Sequence, residues 1–484
     1  MRHTLSLPKH TFIPVAVESS ASNDRSRYVS LFVVGGATAG LLTRNPLLTP
    51  ISILFLLPIA WLTWRRGEPP ALIFACAMHW LQAAAAIFYT NFFGTSLTDA
   101  FGGLELEGAT WLSLIGVLTL AVGMRIGLLR AGRPQSREFA EEGLRIDVGK
   151  AFVAYIISFA SAFAFAVAAA QVKSLSQPLL FLATFKWLFV FGLSYVVFEQ
   201  RTGYRLLILA VVLEIAVGFL GFFGNFRSVF FVLIVAVTTS PLALRGRRLL
   251  LLASAAVVLV LLASTWTAIK SDYRAFLNQG FQTQEVLVPV EERVGKLQDL
   301  VAGFDVQQLA EGFETMIMRV SYVQFFALTI KNVPEHLPYE DGALWGGALK
   351  HVVTPRLLFP NKPAIDDSER TSYYTGVTVA GAEQGTSIGI GYFGESYIDF
   401  GPVLMFVPIL LLGVAYGLIY RFFVLRAQYK ILGGAIATSI MVFSGSLIET
   451  SNIKIVGGGV TVLFVMSVFY VTLAPAMMRW LRAR

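Results

Sequence analysis

Seven basic residues stand where an anion could be held. They are Arg227 in the turn Gly224-Asn-Phe-Arg-Ser228, Lys270 and Arg274 in Lys-Ser-Asp-Tyr-Arg, Arg319, Arg356 and Lys362 in the proline-bracketed stretch Pro355–Pro363, and Arg370. A guanidinium fork grips two phosphate oxygens at once and stays charged, whereas an ammonium is a point charge. Such a set suits a diphosphate. Ion pairing with the many acids of the same stretch is the other reading, and Arg227 is least open to it because its turn contains no acid.

Acids and imidazoles supply the second kind of chemistry. In Gly391-Tyr-Phe-Gly-Glu-Ser-Tyr-Ile-Asp-Phe-Gly401 a helix would place Glu395 and Asp399 at i and i+4 on one face, with Tyr392 and Tyr397 beside them. Two neighbouring carboxylates raise each other's pKa, which suits a general base; a wet acidic face on an interfacial helix is the alternative. Asp366, Asp367, Ser368 and Glu369 read as a helix N-cap with acids in the first turn. His79 reads as a packing residue. The sequence contains no Walker loop, HExxH, CxxC or GxGxxG before a helix, so no cofactor and no metal is expected. With the single Cys76 inside an apolar run, no disulfide can form within the chain.

The elements that must position these residues are membrane helices. Of 484 residues 56% are apolar and 14% charged, and mean hydropathy is +0.67, which excludes a single water-solvated globule. Apolar runs predict twelve spans near 28–43, 51–64, 71–90, 110–129, 151–170, 179–198, 205–224, 229–244, 249–269, 402–425, 431–450 and 455–478. With the N-terminus inside, the internal segments hold 23 Lys and Arg and the short external loops 4, so the positive-inside rule puts both termini in the cytoplasm. The net charge of +8 then belongs to membrane topology and calls for no nucleic acid. The expected layout is a cytoplasmic tail 1–27, helices over 28–269, one large external loop layer 270–401, helices over 402–478, and a tail 479–484. Residues 1–27 lack the apolar core of a cleaved signal. Within the loop, the apolar segment 316–330 and the following 342–353 read as a re-entrant or surface-lying helical pair; the other reading is two further full spans, which preserves the parity of the count. Lys186 and Glu214 lie at similar depths in adjacent spans and are expected to pair.

Taken in order, the Asn-x-Arg-Ser turn, Lys-x-Asp-Tyr-Arg, Pro-Arg followed by Asn-Lys-Pro, Gly-Tyr-Phe-Gly-Glu and Asp-Phe-Gly before a span resemble the bacterial oligosaccharide repeat unit polymerases, the O-antigen or exopolysaccharide polymerases called Wzy. The resemblance covers roughly residues 200–425. It implies an all-α, polytopic, GT-C-like glycosyltransferase of the bacterial inner membrane with a periplasmic catalytic loop layer. Such an enzyme moves a growing glycan from one undecaprenyl diphosphate to the sugar of another lipid-linked repeat unit, without metal. By that likeness Arg227, Lys270, Arg274, Arg319, Arg356, Lys362 and Arg370 would bind the diphosphate. Glu395, Asp399 or His351 would be the base, and Tyr273, Tyr373, Tyr392 and Tyr397 would contact the acceptor sugar. Membrane lipid and a polysaccharide chain-length regulator would be partners. The layout also resembles an O-antigen ligase, for which His336 and His351 speak. The reading from another class is a secondary transporter or lipid-linked glycan flippase, which calls for discontinuous helices and charges at the membrane midplane.

Overall fold

The computed structural model describes residues 31, 33–99, 104–132, 135–172, 175–221, 224–240, 247–281, 286–354, 358–359, 365–381 and 386–482. Among them the regular structure is helical, with one isolated bridge between Ile146 and Arg482. Seven helical stretches are long and apolar enough to cross a membrane: Ala71–Phe92, Leu106–Gly127, Val148–Ala169, Pro178–Gln200, Ala253–Leu277, Phe406–Leu425 and Asn452–Thr472. Three shorter apolar stretches, Leu48–Thr63, Arg227–Thr239 and Lys430–Phe443, occupy other expected spans.

In chain order the first part comprises α1 (33–40), α2 (Leu48–Leu54), α3 (Leu56–Thr63), α4 (Ala71–Phe92), α5 (Leu106–Gly127), α6 (Ser136–Arg145), α7 (Val148–Gln171), α8 (Ser176–Ala183), α9 (Lys186–Gln200), α10 (Tyr204–Leu220) and α11 (Arg227–Thr239). The long α12 (Arg247–Leu277) leads into α13 (Val290–Ala302), α14 (Val306–Val320), α15 (Val323–Asn332), α16 (Ala343–Val353) and α17 (Asp367–Thr375). Then come α18 (Tyr392–Leu404), α19 (Phe406–Tyr420) with a π turn at Arg421–Leu425, α20 (Lys430–Phe443), α21 (Asn452–Thr472) and α22 (Ala474–Leu481).

Small residues set the closest helix contact. Gly123 and Gly127 of α5 face Gly413 and Gly417 of α19; a Cβ on Gly417 would lie 2.2 Å from the Met124 carbonyl oxygen, and one on Gly123 2.3 Å from that of Leu410. Two Gly-x-x-x-Gly stretches thus let the backbones touch, the packing available to helices that gain nothing from leaving lipid. Deep between α9 and α10 the expected ion pair is present: Lys186 Nζ donates to Glu214 Oε2, and the Tyr155 hydroxyl donates to Glu214 Oε1 at 3.2 Å. The ammonium also lies 4.5 Å from the Trp187 ring centroid, a cation–π contact.

Hydrogen bonds between loops sort the chain into two ends. At one end Arg65 donates to Gly132 O, Gln135 to Leu425 O, Arg421 to Leu129 O, Gln200 to Ile146 O and Lys150 to Arg482 O. All of these segments carry the excess of basic residues. At the other end Asn45 reaches Asn91, and the Tyr89 hydroxyl donates to Glu314. The amphipathic α6, absent from the sequence expectation, lies at the basic end and buries Phe139 and Gly143.

Three segments stop inside the bundle. Gln82 lies ten residues, about 15 Å, before the end of α4, and its side chain donates to Ser446 O and accepts from Ile448 N. The 14-residue α20 therefore ends partway along α4, being about 21 Å long against a bilayer core of about 30 Å. The break between α14 and α15 reaches the same level, since Tyr322 N donates to Gln82 O. The sequence reads 316–330 as one apolar segment; it is two helices that meet there. α18 begins at this level too, with the Tyr392 hydroxyl 2.9 Å from His79 Nε2. Non-helical backbone at such depth is stable only where it is buried in protein or lines a cavity.

Candidate functional site

The segment ends converge on a cluster of charged residues. Gly391 is at φ +86, and a Cβ there would lie 2.1 Å from Ile448 O, so glycine lets the start of α18 press against the loop between α20 and α21. Tyr392 N donates to Thr450 O, and Gly394 N donates to the Tyr322 hydroxyl. These contacts hold Glu395, on the first turn of α18, beside the N-terminus of α21.

Glu395 is 1% exposed. Its Oε1 accepts from Arg370 Nη1 at 2.7 Å and its Oε2 from Asn452 N at 2.6 Å. Burial pushes its carboxyl up to about 7, against the opposing pull of Arg370 and the Asn452 amide. Arg370 comes from α17, whose first turn is capped as expected: Asp366 Oδ1 accepts from Ser368 N and Glu369 N, both at 3.0 Å. The same helix carries Asp367, which accepts from Lys454 Nζ at 2.7 Å.

Glu449 occupies the loop above. Its side chain is solvent-accessible yet enclosed enough that burial raises its pKa, while Arg227, Arg319 and Lys454 pull it down. Arg227 opens α11, Arg319 closes α14 and Lys454 lies in the first turn of α21; all three are exposed. Three accessible cations thus act on one accessible carboxylate. Around it several buried polar atoms have no hydrogen-bond partner: Ser321 Oγ, Asp367 Oδ1, Ser451 Oγ, and both Oδ1 and Nδ2 of Asn452. Native interiors leave few such groups.

Of the sequence-read set the structure thus joins Arg370 to Glu395 and sets Arg227 and Arg319 where both act on the charge of Glu449, and it separates the rest. Asp399 is one helical turn from Glu395, as expected, but its oxygens accept from Leu344 N at 3.0 Å and Trp345 N at 2.8 Å. It caps α16, whose own N-cap is Gly342. Both acids are buried, so the wet acidic face is not what α18 presents. The Tyr392 hydroxyl is taken by His79, and that of Tyr397 donates to Val333 O at 3.1 Å. His351 lies beside α21, where its Cδ2 would be 4.0 Å from a Cβ on Gly457; His336 and Tyr373 are exposed. Lys270, Tyr273 and Arg274 continue α12 as a helix, and Tyr273 is buried in a satellite cluster with Phe226, Trp266, Ile269 and Leu277. Arg356 and Lys362 lie outside the described residues.

Sequence reading missed Glu449, Asn452, Ser451 and Tyr322. Glu449 stands at the end of the run 431–450 and Asn452 between it and the next, in Ile448-Glu-Thr-Ser-Asn-Ile-Lys454. That the segment holds five polar or charged residues in seven was the available signal.

Residues 150–478 match a domain of unknown function, DUF8712, and the chain belongs to that family. No curated protein and no solved structure matches the chain.

Proposed function

We propose that this member of the DUF8712 family is a glycosyltransferase that polymerises undecaprenyl-diphosphate-linked oligosaccharide repeat units into O-antigen, capsule or exopolysaccharide. On this reading it works at the periplasmic face of the bacterial inner membrane, through twelve spans with both termini in the cytoplasm and a GT-C-like layout. The observation that carries the proposal is the charge gathered around the loop between α20 and α21: Arg370 pairs with the buried Glu395 at 2.7 Å and Lys454 with Asp367 at 2.7 Å, and Arg227, Arg319 and Lys454 all draw the Glu449 carboxyl down.

Transfer of a glycan from a lipid diphosphate breaks the bond between the anomeric carbon and a phosphate oxygen, and negative charge grows on the departing diphosphate. Guanidinium groups held in place before the reaction stabilise that charge without reorganising. Arg227 at the start of α11 and Arg319 in the last turn of α14, both exposed and both acting on Glu449, fit this task. Arg370, already paired with Glu395, holds that carboxylate beside the start of α21. A chain-length regulator would engage the same external end.

A second reading is a secondary transporter or lipid-linked glycan flippase, favoured by the depth at which α14, α18 and α20 break off, a feature such proteins share. The two readings part on one experiment. Purified protein is given lipid-linked repeat units extracted from the native host, and the products are run on a gel. The transferase gives a ladder, and Arg227→Lys with Arg319→Lys slows it at least tenfold, because lysine cannot reproduce the two-toothed grip. Movement of the intact lipid-linked unit across liposomes, with no ladder, would replace the transferase by the transporter.

A further inference from the structure

We propose that the basic end of the bundle holds one anionic glycerophospholipid, its phosphate at Arg145 and Arg482 in a polar cavity and an acyl chain in the apolar slot that continues from it. The inference goes beyond the transferase reading and does not depend on it.

The polar cavity has a volume of about 170 Å³ and lies between α6, the start of α20 and the end of α22. A single water needs only about 10–15 Å³ of such space, so a group of several heavy atoms fits. Glu138, Glu141, Arg145, Gln428 and Arg482 line it and are exposed, which leaves the space accessible from outside. Backbone contacts place the two arginines near each other. Ile146 and Arg482 form an antiparallel bridge, and Asp147 N donates to Leu481 O at 2.9 Å. Residues opposed in such a bridge have Cα atoms about 4.5–5.5 Å apart, and Arg145 directly precedes Ile146.

Three acids also line the cavity, and each is engaged. Glu138 Oε2 lies 3.3 Å from Lys430 Nζ, and Glu141 Oε1 accepts from Arg137 Nε at 2.8 Å. Glu142 Oε2 accepts from the backbone N–H groups of Lys430 and Ile431. Burial pushes the Glu142 carboxyl up to about 7, against the pull of those two amides, Arg482 and Lys430, so near neutral pH it carries part of a charge and opposes an anion weakly. Lys430 Nζ is shared with Leu425 O at 3.0 Å. Arg145 and Arg482 remain, and no described residue makes an ion pair or hydrogen bond with either guanidinium. Two uncommitted guanidinium forks in one cavity suit a phosphate.

Ile146 and Met478 line both this cavity and the slot behind it. Every residue lining the slot is apolar or glycine, among them Ala154 of α7, Leu188 and Gly192 of α9 and Ala435 of α20. From Val148, where α7 begins, to Ala154 the helix advances about 9 Å, so the slot runs from the basic end into the acyl layer. Its volume is only about 30 Å³, narrow enough to guide a chain. A chain that enters from lipid gains little by leaving other chains; the slot orients, and the charged cavity selects. A soluble anion would leave the slot unused, and an uncharged lipid would leave the arginines unpaired. Basic pockets between membrane helices take anionic headgroups in this way.

The test is native mass spectrometry of the full-length protein in detergent, titrated with dioleoylphosphatidylglycerol. Dioleoylphosphatidylethanolamine, glycerol phosphate and undecaprenyl phosphate are titrated beside it. One phosphatidylglycerol is expected to bind at least tenfold more tightly than phosphatidylethanolamine, and glycerol phosphate, which has no chain, at least a hundredfold more weakly. Arg145→Gln with Arg482→Gln should weaken phosphatidylglycerol binding at least tenfold. Gly192→Leu should do the same by filling the slot, since its Cβ meets only Ile431 Cγ2 at 3.9 Å. Thermal unfolding without lipid confirms that each variant is folded; should the arginine pair not fold, Arg482→Gln alone is expected to weaken binding at least threefold. Equal affinity for phosphatidylglycerol and phosphatidylethanolamine, or binding unchanged in the folded arginine or Gly192 variants, overturns the assignment. So does glycerol phosphate binding as tightly as the lipid, which would make this a free-phosphate site. Undecaprenyl phosphate displacing phosphatidylglycerol from the same arginines would overturn it as well, in favour of the polyprenyl carrier.

Discussion

Replacing Glu395 by Gln asks whether burial or the Arg370 pair controls the ionisation of this buried acid. The carboxyl is raised from its ordinary 4.5 to about 7, with burial the larger influence and Arg370 opposing it. In the unfolded chain Glu395 ionises near 4.5; in the folded protein it holds its proton until about pH 7. Between those values the native state binds the extra proton, so its contribution to stability is complete below pH 4.5 and is lost as pH rises through 7. Each tenfold change in proton affinity is worth about 1.4 kcal/mol, so the loss amounts to about 3 kcal/mol. Arg370 stays charged throughout, and Gln does not titrate. Glu395→Gln therefore shifts stability by a constant amount, and the advantage of wild type over the variant shrinks by about 3 kcal/mol between pH 4.5 and pH 8. Denaturant unfolding of both proteins in the same detergent, at half-unit pH intervals, measures that gap and cancels the titration of every other group. A gap that widens with pH would show that the Arg370 ion pair outweighs burial, and the argument about Glu395 would be refuted.

Three further outcomes are expected. Lys186→Met or Glu214→Gln alone should destabilise by about 3 kcal/mol, because each strands a buried charge, and the double variant should regain most of it; additive losses in detergent unfolding would deny the coupling. Gly417→Val, which places a side chain against the Met124 carbonyl in the α5–α19 contact, should lower folded yield severely, whereas Gly459→Ala, with no atom within 4 Å of its added methyl, should leave it near wild type; equal yields would contradict the close backbone packing. In a Cys76→Ala background, Gln279→Cys should react with a membrane-impermeant maleimide on intact spheroplasts and Arg137→Cys only after lysis; the reverse pattern would invert the topology.

Much of the helical framework is legible because a bilayer imposes its requirement on composition. Runs such as 71–90, 110–129 and 151–170 are apolar over a span's length, and each is a helix of 22 to 24 residues in the structure. The Lys186–Glu214 pair is legible for the related reason that charges inside apolar runs demand a partner. What escapes is the depth at which segments stop. Nothing in 431–450 as a string of mostly apolar residues says that α20 ends at Phe443; that follows from Gln82, more than 350 positions earlier, fixing Ser446 and Ile448. The same limit explains the site. Arg227, Arg319 and Arg370 stand out as charges that an anion could use, and Glu395 as an acid before a span. That Glu395 and Asp399 are each closed by hydrogen bonds while Glu449 stays exposed is a matter of tertiary contact. Asp399 and Glu395 look alike in sequence, yet one caps α16 and the other pairs with Arg370.

The most direct test of the transferase reading is the amount of lipid diphosphate released per repeat unit added. Purified protein, incubated with lipid-linked repeat units in the presence of a chelator, is sampled over time for both chain length and freed undecaprenyl diphosphate. Stoichiometric release, one diphosphate for each unit joined, slowed together with elongation in Arg227→Lys plus Arg319→Lys, is the expected result. Elongation that requires a divalent ion, or disappearance of the lipid-linked unit from one side of a vesicle with no diphosphate freed, would contradict it.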